Sequence, residues 1–338
     1  MMTDVQKNLD FAQVLEKMNA EMINAPDLIQ PSKFWQDLSQ KHGRRLAASG
    51  IENFRRTLAK DYFTWMRILP WDSQIRFLIR NLPKREVGKA VFGAFKKHEH
   101  IGLAESIAMN FLSRLLWSYT KQEYPEITDL SECSFGNPPA VFDGKHLVSQ
   151  DLANSLLEFH SYREGVKGII CELGGGYGRN AYVTATQGDF ASYTLVDIPP
   201  ALGVAQAFIE NAFPNAKIFR FRPFTSYLEV SDEIRDAKFV FLLPHQMSLL
   251  PTGSVDLFLN ISSLHEMRRD QVNYYVSEIR RLTKIGGHFY LKAWAVSNNV
   301  DEEVTICSQD YDLSGFEEVY WRTPKVQTRF FETLQKRE

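Results

Sequence analysis

The spacing of apolar residues changes near residue 150 of the 338-residue sequence. In the first part, apolar residues recur three or four positions apart, which is typical of amphipathic helices. Examples are Leu9, Val14, Leu15 and Met18, then Phe34, Trp35, Leu38, His42 and Leu46, then the stretch from Ile101 to Tyr119, with an aromatic-rich cluster at Tyr62, Phe63, Trp65 and Met66. We expect these side chains in a core. Residues 124–148 contain Pro, Gly and Asp and indicate a loop. We therefore predict a helical domain over residues 1–150.

From residue 151 a short helix, Leu152 to Tyr162, precedes short apolar runs that alternate with helical stretches. The predicted strands are Ile169–Leu173, Tyr193–Ile198, Phe239–Leu243, Val255–Ile261, His288–Trp294, Phe316–Trp321 and Thr328–Leu334. The predicted helices between them are Arg179–Gln187, Pro200–Phe213 and Gln271–Thr283, the last closed by Gly286 and Gly287. This alternation predicts an α/β domain over residues 151–338, with a mixed, mostly parallel sheet of seven strands in a Rossmann-like arrangement. Lys217–Phe221 is ambiguous and fits an additional strand.

The first predicted strand ends in an unusual run of glycines. Ile169–Leu173, which includes Glu172, is followed by Gly174, Gly175, Gly176 and Gly178. Such a run predicts a sharp turn from a buried strand into a helix, because glycine lets the backbone turn tightly and lie directly against a ligand. The alternative is a glycine-rich turn that binds nothing.

An acidic residue ends the next apolar run. Asp197 follows Tyr193-Thr194-Leu195-Val196, about twenty residues after the glycines. A carboxylate at this place in a Rossmann-like domain can accept hydrogen bonds from both hydroxyls of a ribose. The two features together predict a site for a cofactor that contains adenosine.

The glycine spacing favours one class of cofactor. A dinucleotide site requires G-x-G-x-x-G/A, and Arg179 is too large for its third small position. The residues fit E-x-G-x-G-x-G instead, with Glu172, Gly174, Gly176 and Gly178, which is the form seen in class I S-adenosylmethionine methyltransferases. A carboxylate at Glu172 suits a ligand that carries an ammonium and a sulfonium, whereas it would repel a pyrophosphate. A nicotinamide-dependent, NAD(P)-type oxidoreductase remains the alternative enzyme class.

Composition and charge limit the class of protein and its possible partners. The sequence is 44% hydrophobic and has a net charge of −2, as expected for a globular protein. Residues 33–97 hold fifteen Lys or Arg against five Asp or Glu, a local balance of +10. This segment is either a solvated helical surface or an attractor for an anionic substrate such as a phosphorylated sugar. A balanced total charge without an aromatic RNA-binding signature argues against a nucleic-acid partner.

Several other classes of site are disfavoured. Cys133, Cys171 and Cys307 are far apart, and none belongs to a C-x-x-C pair, so we expect no disulfide framework and no zinc site. No ligand cluster for another metal is visible in the sequence. The N-terminus does not fit a signal peptide, and no apolar run approaches the ~20 residues that span a bilayer. We therefore expect a cytoplasmic protein without a membrane partner.

Longer motifs add a resemblance to a known family. The sequence from about Phe34 to Phe331 resembles the sugar O-methyltransferase family of class I methyltransferases. The resemblance rests on Phe34-Trp35, His42, Gly50–Thr57, Glu172–Arg179, Leu195–Pro199, Leu243–Gln246 and Asn260–Met267. It implies an S-adenosyl-L-methionine-dependent transfer of a methyl group to a hydroxyl of a sugar or glycosylated metabolite. The helical domain would then cap the substrate or mediate oligomerisation; a homodimer is one option that the sequence leaves open.

A general base is needed for such a reaction, because a sugar hydroxyl holds its proton tightly. We expect it in the segment after the fourth strand, where His265 is the first choice since its ordinary pKa lies near neutrality. Glu266 is the second choice, either as base or to orient His265. The structural alternatives are a surface histidine at a helix start and an acid favoured by the helix dipole.

The remaining expected site residues fall into two groups. Cofactor contacts are expected from Tyr177, which would cover the ligand, and Asn260, which would bind the methionyl amine or cap a turn. The adenine edge is expected at Gln246 or, in competition, at His245. Substrate contacts are expected from His42, Asn53 and Arg56 of the helical domain, each with a structural role as the alternative, and Arg179 would bind a carboxylate or a loop carbonyl. A non-catalytic scaffold protein on a methyltransferase fold is the third functional alternative.

Overall fold

A computed structural model describes residues 4–58, 73–99, 101–126, 130–299 and 304–338. The predicted aromatic cluster at Tyr62, Phe63, Trp65 and Met66 lies outside these ranges. The helices are α1 Asp4–Ile23, α2 Lys33–Ser49, α3 Phe54–Thr57, α4 Ser73–Asn81, α5 Lys84–Phe92, α6 Leu103–Glu123, α7 Gln150–Tyr162, α8 Arg179–Gln187, α9 Ala201–Ala212, α10 Ser231–Asp236, α11 Pro244–Met247 and α12 Arg269–Leu282. The strands are β1 Val141–Phe142, β2 Leu147–Val148, β3 Ile169–Leu173, β4 Ser192–Val196, β5 Ile218–Phe219, β6 Phe239–Leu242, β7 Val255–Ile261, β8 Thr283–Trp294, β9 Val296–Asn299, β10 Val304–Cys307, β11 Phe316–Arg322 and β12 Phe330–Arg337.

The chain forms two compact units. The larger contains Met1–Gly43, Ser161–Pro324 and Arg329–Glu338, and the smaller contains Arg44–His160 and Lys325–Thr328. This division differs from the sequence-based boundary at residue 150, since α1 and the start of α2 belong to the larger unit. The reason is packing: the ring of Phe11 and the sulfur of Met18, both on α1, lie beside Gly203 of α9. A helical pattern reveals the apolar face of a helix but not the element that covers it.

An eight-stranded sheet organises the larger unit. Its strand order is β11-β12-β8-β7-β3-β4-β6-β5. The strands from β8 to β5 are parallel to their neighbours, whereas β12 pairs antiparallel with both β8 and β11. The prediction of a mostly parallel, mixed Rossmann-like sheet is confirmed. The eighth strand is β5, which falls inside the ambiguous segment Lys217–Phe221 and pairs with β6 at the edge.

Burial follows the position of each strand. All residues of β4 and β6 are buried, and β3 is buried from its second residue onward, as expected for parallel strands covered on both faces. The edge strand β11 exposes most of its side chains. Helices α9 and α12 cover the sheet with their apolar faces, whose residues recur three or four positions apart. These residues are Ala201, Val204, Ala205 and Phe208 on α9, and Val272, Tyr275, Val276, Ile279 and Leu282 on α12.

The predicted boundary between α12 and β8 was wrong, and two other strands have shifted ends: β4 is Ser192–Val196 where Tyr193–Ile198 was predicted, and β12 is Phe330–Arg337 where Thr328–Leu334 was predicted. We expected Gly286 and Gly287 to close a helix before a strand that began at His288, but α12 ends at Leu282 and β8 begins at Thr283. The pairing of β8 with β7 shifts register between Val255 and Leu257, and Gly286 adopts a φ of 77° beside this irregularity. The glycines therefore allow the start of the strand to bend, which is the second common use of glycine near strand residues. The short hairpins β1–β2 and β9–β10 were not predicted.

A buried charge cluster organises the smaller unit. The Arg55 guanidinium is fully buried and donates to both Glu132 carboxylate oxygens, at 2.7 and 3.0 Å, and to Asp151 at 3.3 Å. The Ser149 hydroxyl donates a further short hydrogen bond to Glu132. These contacts join α3, the loop before β1 and the start of α7. They give the Asn-Phe-Arg-Arg motif a structural function in this unit.

No helix within the described ranges is both long and apolar enough to cross a membrane.

Candidate functional site

The candidate site lies where the order of the strands in the sheet reverses. Strand β3 occupies the middle, and its last residue, Leu173, pairs with Val196 of β4 on one side and with Asn260 of β7 on the other. Because the three strands are parallel, their carboxyl ends meet at one edge. Crevices at such a reversal are the usual ligand sites of open α/β sheets. The structure therefore brings together the three segments that the sequence singled out, namely 174–178, Asp197 and 260–267.

The loop after β3 depends on glycine in two different ways. Gly174 has a φ of 77°, and a Cβ there would lie 2.2 Å from the Ser263 hydroxyl, so this glycine permits close contact with the segment after β7. Gly176 has a φ of 57°, but a Cβ there would meet no atom within 4 Å. The backbone of Gly176 thus borders open space at the carboxyl edge of β3. A ligand can approach it directly.

The Asp197 carboxylate fastens this loop to β4. It accepts hydrogen bonds from the Gly176 N–H and the Ile198 N–H, each at 2.7 Å. Burial raises the pKa of Asp197 to about 7, against the effect of both N–H donors, which stabilise the charged form. Each carboxylate oxygen has two lone pairs and here accepts one of these backbone hydrogen bonds, so the carboxylate retains capacity for further donors.

Two residues of the glycine motif, Glu172 and Tyr177, have buried side chains that support the loop. Glu172 is 1% exposed and accepts hydrogen bonds from Asn180 Nδ2 at 3.0 Å and from the Tyr193 hydroxyl at 2.8 Å. Tyr177, expected to cover the cofactor, is buried and packs edge-to-face against Phe208 at 5.2 Å. Both side chains therefore stabilise the turn in the structure, and direct contact with a ligand stays a prediction for them.

The side chains of Asn260 and Gln246 are also occupied by the protein. Asn260 donates to the Leu173 carbonyl at 2.9 Å and accepts from the Leu264 N–H at 3.2 Å, so it joins β7 to β3 and holds the following turn. Gln246 accepts from the Leu243 N–H at 2.9 Å and donates to the Arg222 carbonyl at 2.8 Å. Both amides are fully buried, and their hydrogen bonds hold the backbone segments at the site together.

His245 is the less buried neighbour of Gln246 on α11. Its Nε2 lies 3.9 Å from the Glu21 carboxylate of α1. Burial lowers the pKa of His245, and Glu21 partly opposes this. The imidazole is accordingly biased toward its neutral form, in which one ring nitrogen donates and the other accepts. Between the two residues proposed from sequence for the adenine edge, His245 has the side chain that is partly accessible.

The turn after β7 carries the two candidate bases, and their environments differ. His265 is 3% exposed and lies among apolar rings, with Trp294 and Phe330 at centroid distances of 6.2 and 6.3 Å. Burial lowers the pKa of His265 to about 3. The expectation that its pKa lies near neutrality is wrong, because the apolar surroundings disfavour the charged imidazolium. A group with so low a pKa is a weak proton acceptor.

Glu266 has the opposite shift. Its side chain is 17% exposed, and burial raises the pKa of Glu266 to about 8, with a further contribution from the negative charge of Asp197. A carboxylate with a raised pKa is a stronger base than an ordinary one. Glu266 Oε1 lies 3.8 Å from His265 Nε2, which is too long for a hydrogen bond.

A tryptophan that the site prediction did not include contacts Glu266. The Trp35 indole N–H donates to Glu266 Oε2 at 3.1 Å, although the two residues are 231 positions apart in the sequence. Trp35 was interpreted only as an apolar position of a helix and as part of a family motif. No local pattern in a single sequence indicates the partner of an indole N–H.

The predicted substrate residues do not form one cluster within either unit. His42 belongs to the larger unit and is buried, and Arg179, the first residue of α8, lies 3.4 Å from the Asn180 amide oxygen. Asn53 and Arg56 belong to the smaller unit. There Asn137 donates to the Asn53 side chain at 2.9 Å, and Arg56 Nε donates to the Asn137 carbonyl at 2.9 Å. Substrate binding by these four residues stays a prediction.

Among the residues that the structure describes, no group of three or more His, Cys, Asp or Glu side chains is arranged to hold a metal ion.

Comparisons with known proteins give likeness of fold only. No protein-family model matches the chain, and no curated protein matches it either. Solved structures that match include the 1,6-didemethyltoxoflavin-N1-methyltransferase of Burkholderia thailandensis, with 15% identity, a TM-score of 0.38, and coverage of 55% of this chain and 78% of that one. Another is geranyl diphosphate C-methyltransferase from Streptomyces coelicolor, with 12% identity, a TM-score of 0.38, and coverage of 56% and 78%.

A third matching structure is the [4+2]-cyclase SpnF, with 15% identity, a TM-score of 0.39, and coverage of 56% of this chain and 82% of that one. The first two structures contain S-adenosylhomocysteine according to their descriptions, and the third is named for a different reaction. At these identities and scores the matches carry no argument about substrate or chemistry, which must come from the site itself.

Proposed function

We propose that this protein is an S-adenosylmethionine-dependent methyltransferase that transfers a methyl group to a hydroxyl. One observation carries the proposal: the open Gly176 backbone donates to the Asp197 carboxylate at the point where the strand order of the sheet reverses. This arrangement suits an adenosyl ligand, because a ribose can donate both hydroxyls to a carboxylate while the ligand lies along a glycine backbone.

The residues at the edge of the sheet fit this cofactor. Gly176 offers an open backbone, Asp197 retains lone pairs for the ribose, and the partly accessible His245 can meet the adenine edge. A dinucleotide would instead meet the bulk of Arg179, where dinucleotide sites have a small residue. Glu172, Gly174 and Asn260 would act indirectly, because they hold the loop and the turn that border the ligand.

Glu266 is the preferred general base. When bound, S-adenosylmethionine would supply an electrophilic methyl group on a sulfonium for the acceptor oxygen, with a neutral thioether as the leaving group. The hydroxyl proton must leave at the same time, and Glu266 can accept it on a carboxylate oxygen. A base is effective when its pKa lies near the working pH, which holds for Glu266 and does not hold for His265.

The acceptor is proposed to be a sugar or a sugar conjugate. This part rests on the sequence motifs at Gly50–Thr57 and Asn260–Met267, and no family model supports it. One structural feature is compatible with it: Trp294, which is only partly buried, lies beside Phe330 and His265 and offers a flat apolar surface. The apolar face of a sugar ring can pack on such a surface, and so can an aromatic alcohol. The small molecule would be the only substrate besides the cofactor.

Transfer of a labelled methyl group tests the proposal. Purified protein is incubated with S-adenosylmethionine labelled on its methyl carbon and a panel of methyl glycosides, nucleoside diphosphate sugars and phenols. We expect label in at least one hydroxyl compound. Replacement Glu266→Gln should lower kcat by about 10²- to 10⁴-fold, the usual contribution of a general base. His265→Ala should lower it less, and Glu229→Gln, at an exposed position away from the site, should leave it unchanged.

Two results would contradict the proposal. If the wild-type chain binds reduced nicotinamide dinucleotide and not S-adenosylhomocysteine, the oxidoreductase alternative holds. If it binds S-adenosylhomocysteine but Glu266→Gln retains full turnover on a methylated acceptor, the cofactor assignment stands and the base assignment is wrong.

A further inference from the structure

The N-terminal segment of the larger unit is attached to the turn that carries Glu266. Gln271, which is buried in the first turn of α12, donates through its Nε2 to the Leu28 carbonyl at 3.1 Å and to the Gln30 carbonyl at 2.7 Å. Arg268 donates to the Asp27 carbonyl at 3.3 Å. Residues 27–30 are thereby fixed against the chain that follows Glu266. Helix α2 begins three residues later, at Lys33.

Trp35 lies in the first turn of that helix. Its backbone N–H faces the Ser32 hydroxyl at 3.4 Å, its ring packs edge-to-face on Phe34, and its indole N–H meets Glu266 Oε2 at 3.1 Å. The side chain therefore reaches Glu266 from an anchored backbone. The contact is a defined hydrogen bond between two partly buried groups.

The chemistry of the indole decides how the carboxyl can be protonated. An indole N–H donates and cannot accept. Glu266 Oε2 must consequently present a lone pair to Trp35 in both protonation states. A carbonyl oxygen accepts a hydrogen bond better than a hydroxyl oxygen does, so the indole favours the form of protonated Glu266 in which the proton resides on Oε1. The bond thus distinguishes the two carboxylate oxygens of Glu266.

We propose that Trp35 is a positioning residue that holds Glu266 so that Oε1 is the atom that accepts the proton of the methyl acceptor. This inference rests on the proposed function of Glu266 as general base. Trp35 itself does not exchange a proton. Its hydrogen bond also favours the charged carboxylate, so its loss should raise the pKa of Glu266 further. Among the residues that the structure describes, two further ionisable groups face Glu266: His265, from the same turn, and Asp197, from the end of β4.

An NMR titration of the indole N–H groups tests the proposal without a cofactor or an acceptor. The six tryptophans are labelled with ¹⁵N, and the Trp35 resonance is assigned by its loss in Trp35→Phe. We expect it to titrate with a midpoint near pH 8 in the wild-type chain, because Glu266 ionises with a pKa of about 8. The titration should vanish in Glu266→Gln, whose amide oxygen still accepts from the indole but does not ionise.

Trp117 supplies an internal control in the same spectra. Its indole N–H donates to Asp143 at 2.6 Å, and backbone and side-chain hydrogen bonds hold the pKa of Asp143 at about 2. The Trp117 resonance should therefore stay constant between pH 6 and 9. A Trp35 resonance as constant as that of Trp117, or one that still titrates in Glu266→Gln, would overturn the proposal.

Kinetics with a methylated acceptor give the second readout. Trp35→Phe keeps an aromatic ring and removes the donor, so kcat should fall about 10- to 100-fold, the value of one hydrogen bond to a charged group, with an unchanged Kd for S-adenosylhomocysteine. The acidic limb of the kcat profile should move to higher pH. An unchanged kcat and pH profile would overturn the positioning role while leaving the proposed function intact. If the wild-type protein does not bind S-adenosylhomocysteine, the proposed function is refuted. The indole titration needs no cofactor and would be unaffected by that result.

Discussion

The backbone N–H of Gly176 donates a 2.7 Å hydrogen bond to the carboxylate of Asp197, and this bond joins the loop after β3 to the end of β4. The two residues are 21 positions apart and meet only because β3 and β4 are parallel neighbours. A carboxylate placed directly beside an open glycine backbone is the feature from which the proposed cofactor site follows.

Replacement of Asp197 should strongly weaken cofactor binding. Two hydrogen bonds from ribose hydroxyls to a carboxylate are worth about 1.5–3 kcal/mol each, so Asp197→Ala should weaken S-adenosylhomocysteine binding by roughly 100-fold or more. Asp197→Asn keeps one oxygen acceptor and should lose less. Isothermal titration calorimetry measures the Kd, with the exposed Asp232→Ala on α10 as the control. Equal affinity of Asp197→Ala and the control would remove Asp197 from the site.

Gly174→Ala should destabilise the protein through a clash rather than through backbone strain alone. Gly174 and Gly286 share a φ of 77°, but only at Gly174 would a Cβ meet other atoms, namely the Ser263 Oγ at 2.2 Å and its Cβ at 2.3 Å. Gly286→Ala is therefore the matched control, with a strain cost of about 1–2 kcal/mol. Thermal unfolding should show a clearly lower Tm for Gly174→Ala than for Gly286→Ala. Identical Tm values would mean that the loop lies farther from Ser263 than the structure shows.

Stability should fall as pH rises through the neutral range, and Glu266 should cause part of the fall. The folded-state pKa of Glu266 is about 8, above its ordinary value of 4.5. Between these values the unfolded chain releases the proton while the folded chain keeps it, so the free energy of unfolding decreases with pH. Glu266→Gln lacks this ionisation. As the pH rises from 5 to 8, the Tm of Glu266→Gln should increase relative to the Tm of the wild-type chain. A Tm difference that stays constant over this range would contradict the raised pKa.

Arg55 should be essential to the smaller unit. Arg55→Ala leaves the buried Glu132 and Asp151 without their shared cation, which typically costs about 3–5 kcal/mol. The control is Arg235→Ala, which breaks an exposed i,i+3 pair with Asp232 and should cost less than about 1 kcal/mol. Urea denaturation followed by circular dichroism gives both values. A cost for Arg55→Ala no larger than that of the control would rule out the cluster as a stabilising feature.

Much of the fold could be predicted because its signals are local. The sequence predicted β3, β7 and α8 with the bounds that the structure has, since a short buried apolar run followed by glycines is typical of a parallel strand and a turn. The predictions for α12 and β8 failed at Gly286, because a glycine pair is compatible with both a helix end and a bent strand. Only the pairing with β7 distinguishes the two.

The sequence predicted where the candidate site residues lie in the fold, but not their electrostatics. The motifs placed Asp197 and Glu266 after neighbouring strands, and the structure has both at one edge of the sheet; their functions stay predictions. Their pKa values depend on burial, which a sequence pattern does not give, and this reversed the order of preference between His265 and Glu266. The Trp35 bond to Glu266 spans 231 positions and has no local signature.

A crystal structure of the protein soaked with S-adenosylhomocysteine shows whether the ligand binds beside Gly176. We expect adenosyl density against Gly176, with ribose hydroxyl oxygens about 2.5–3.0 Å from the Asp197 carboxylate and the sulfur facing the turn that carries Glu266. Density for the ligand elsewhere, or side chains that fill the space beside Gly176, would contradict it.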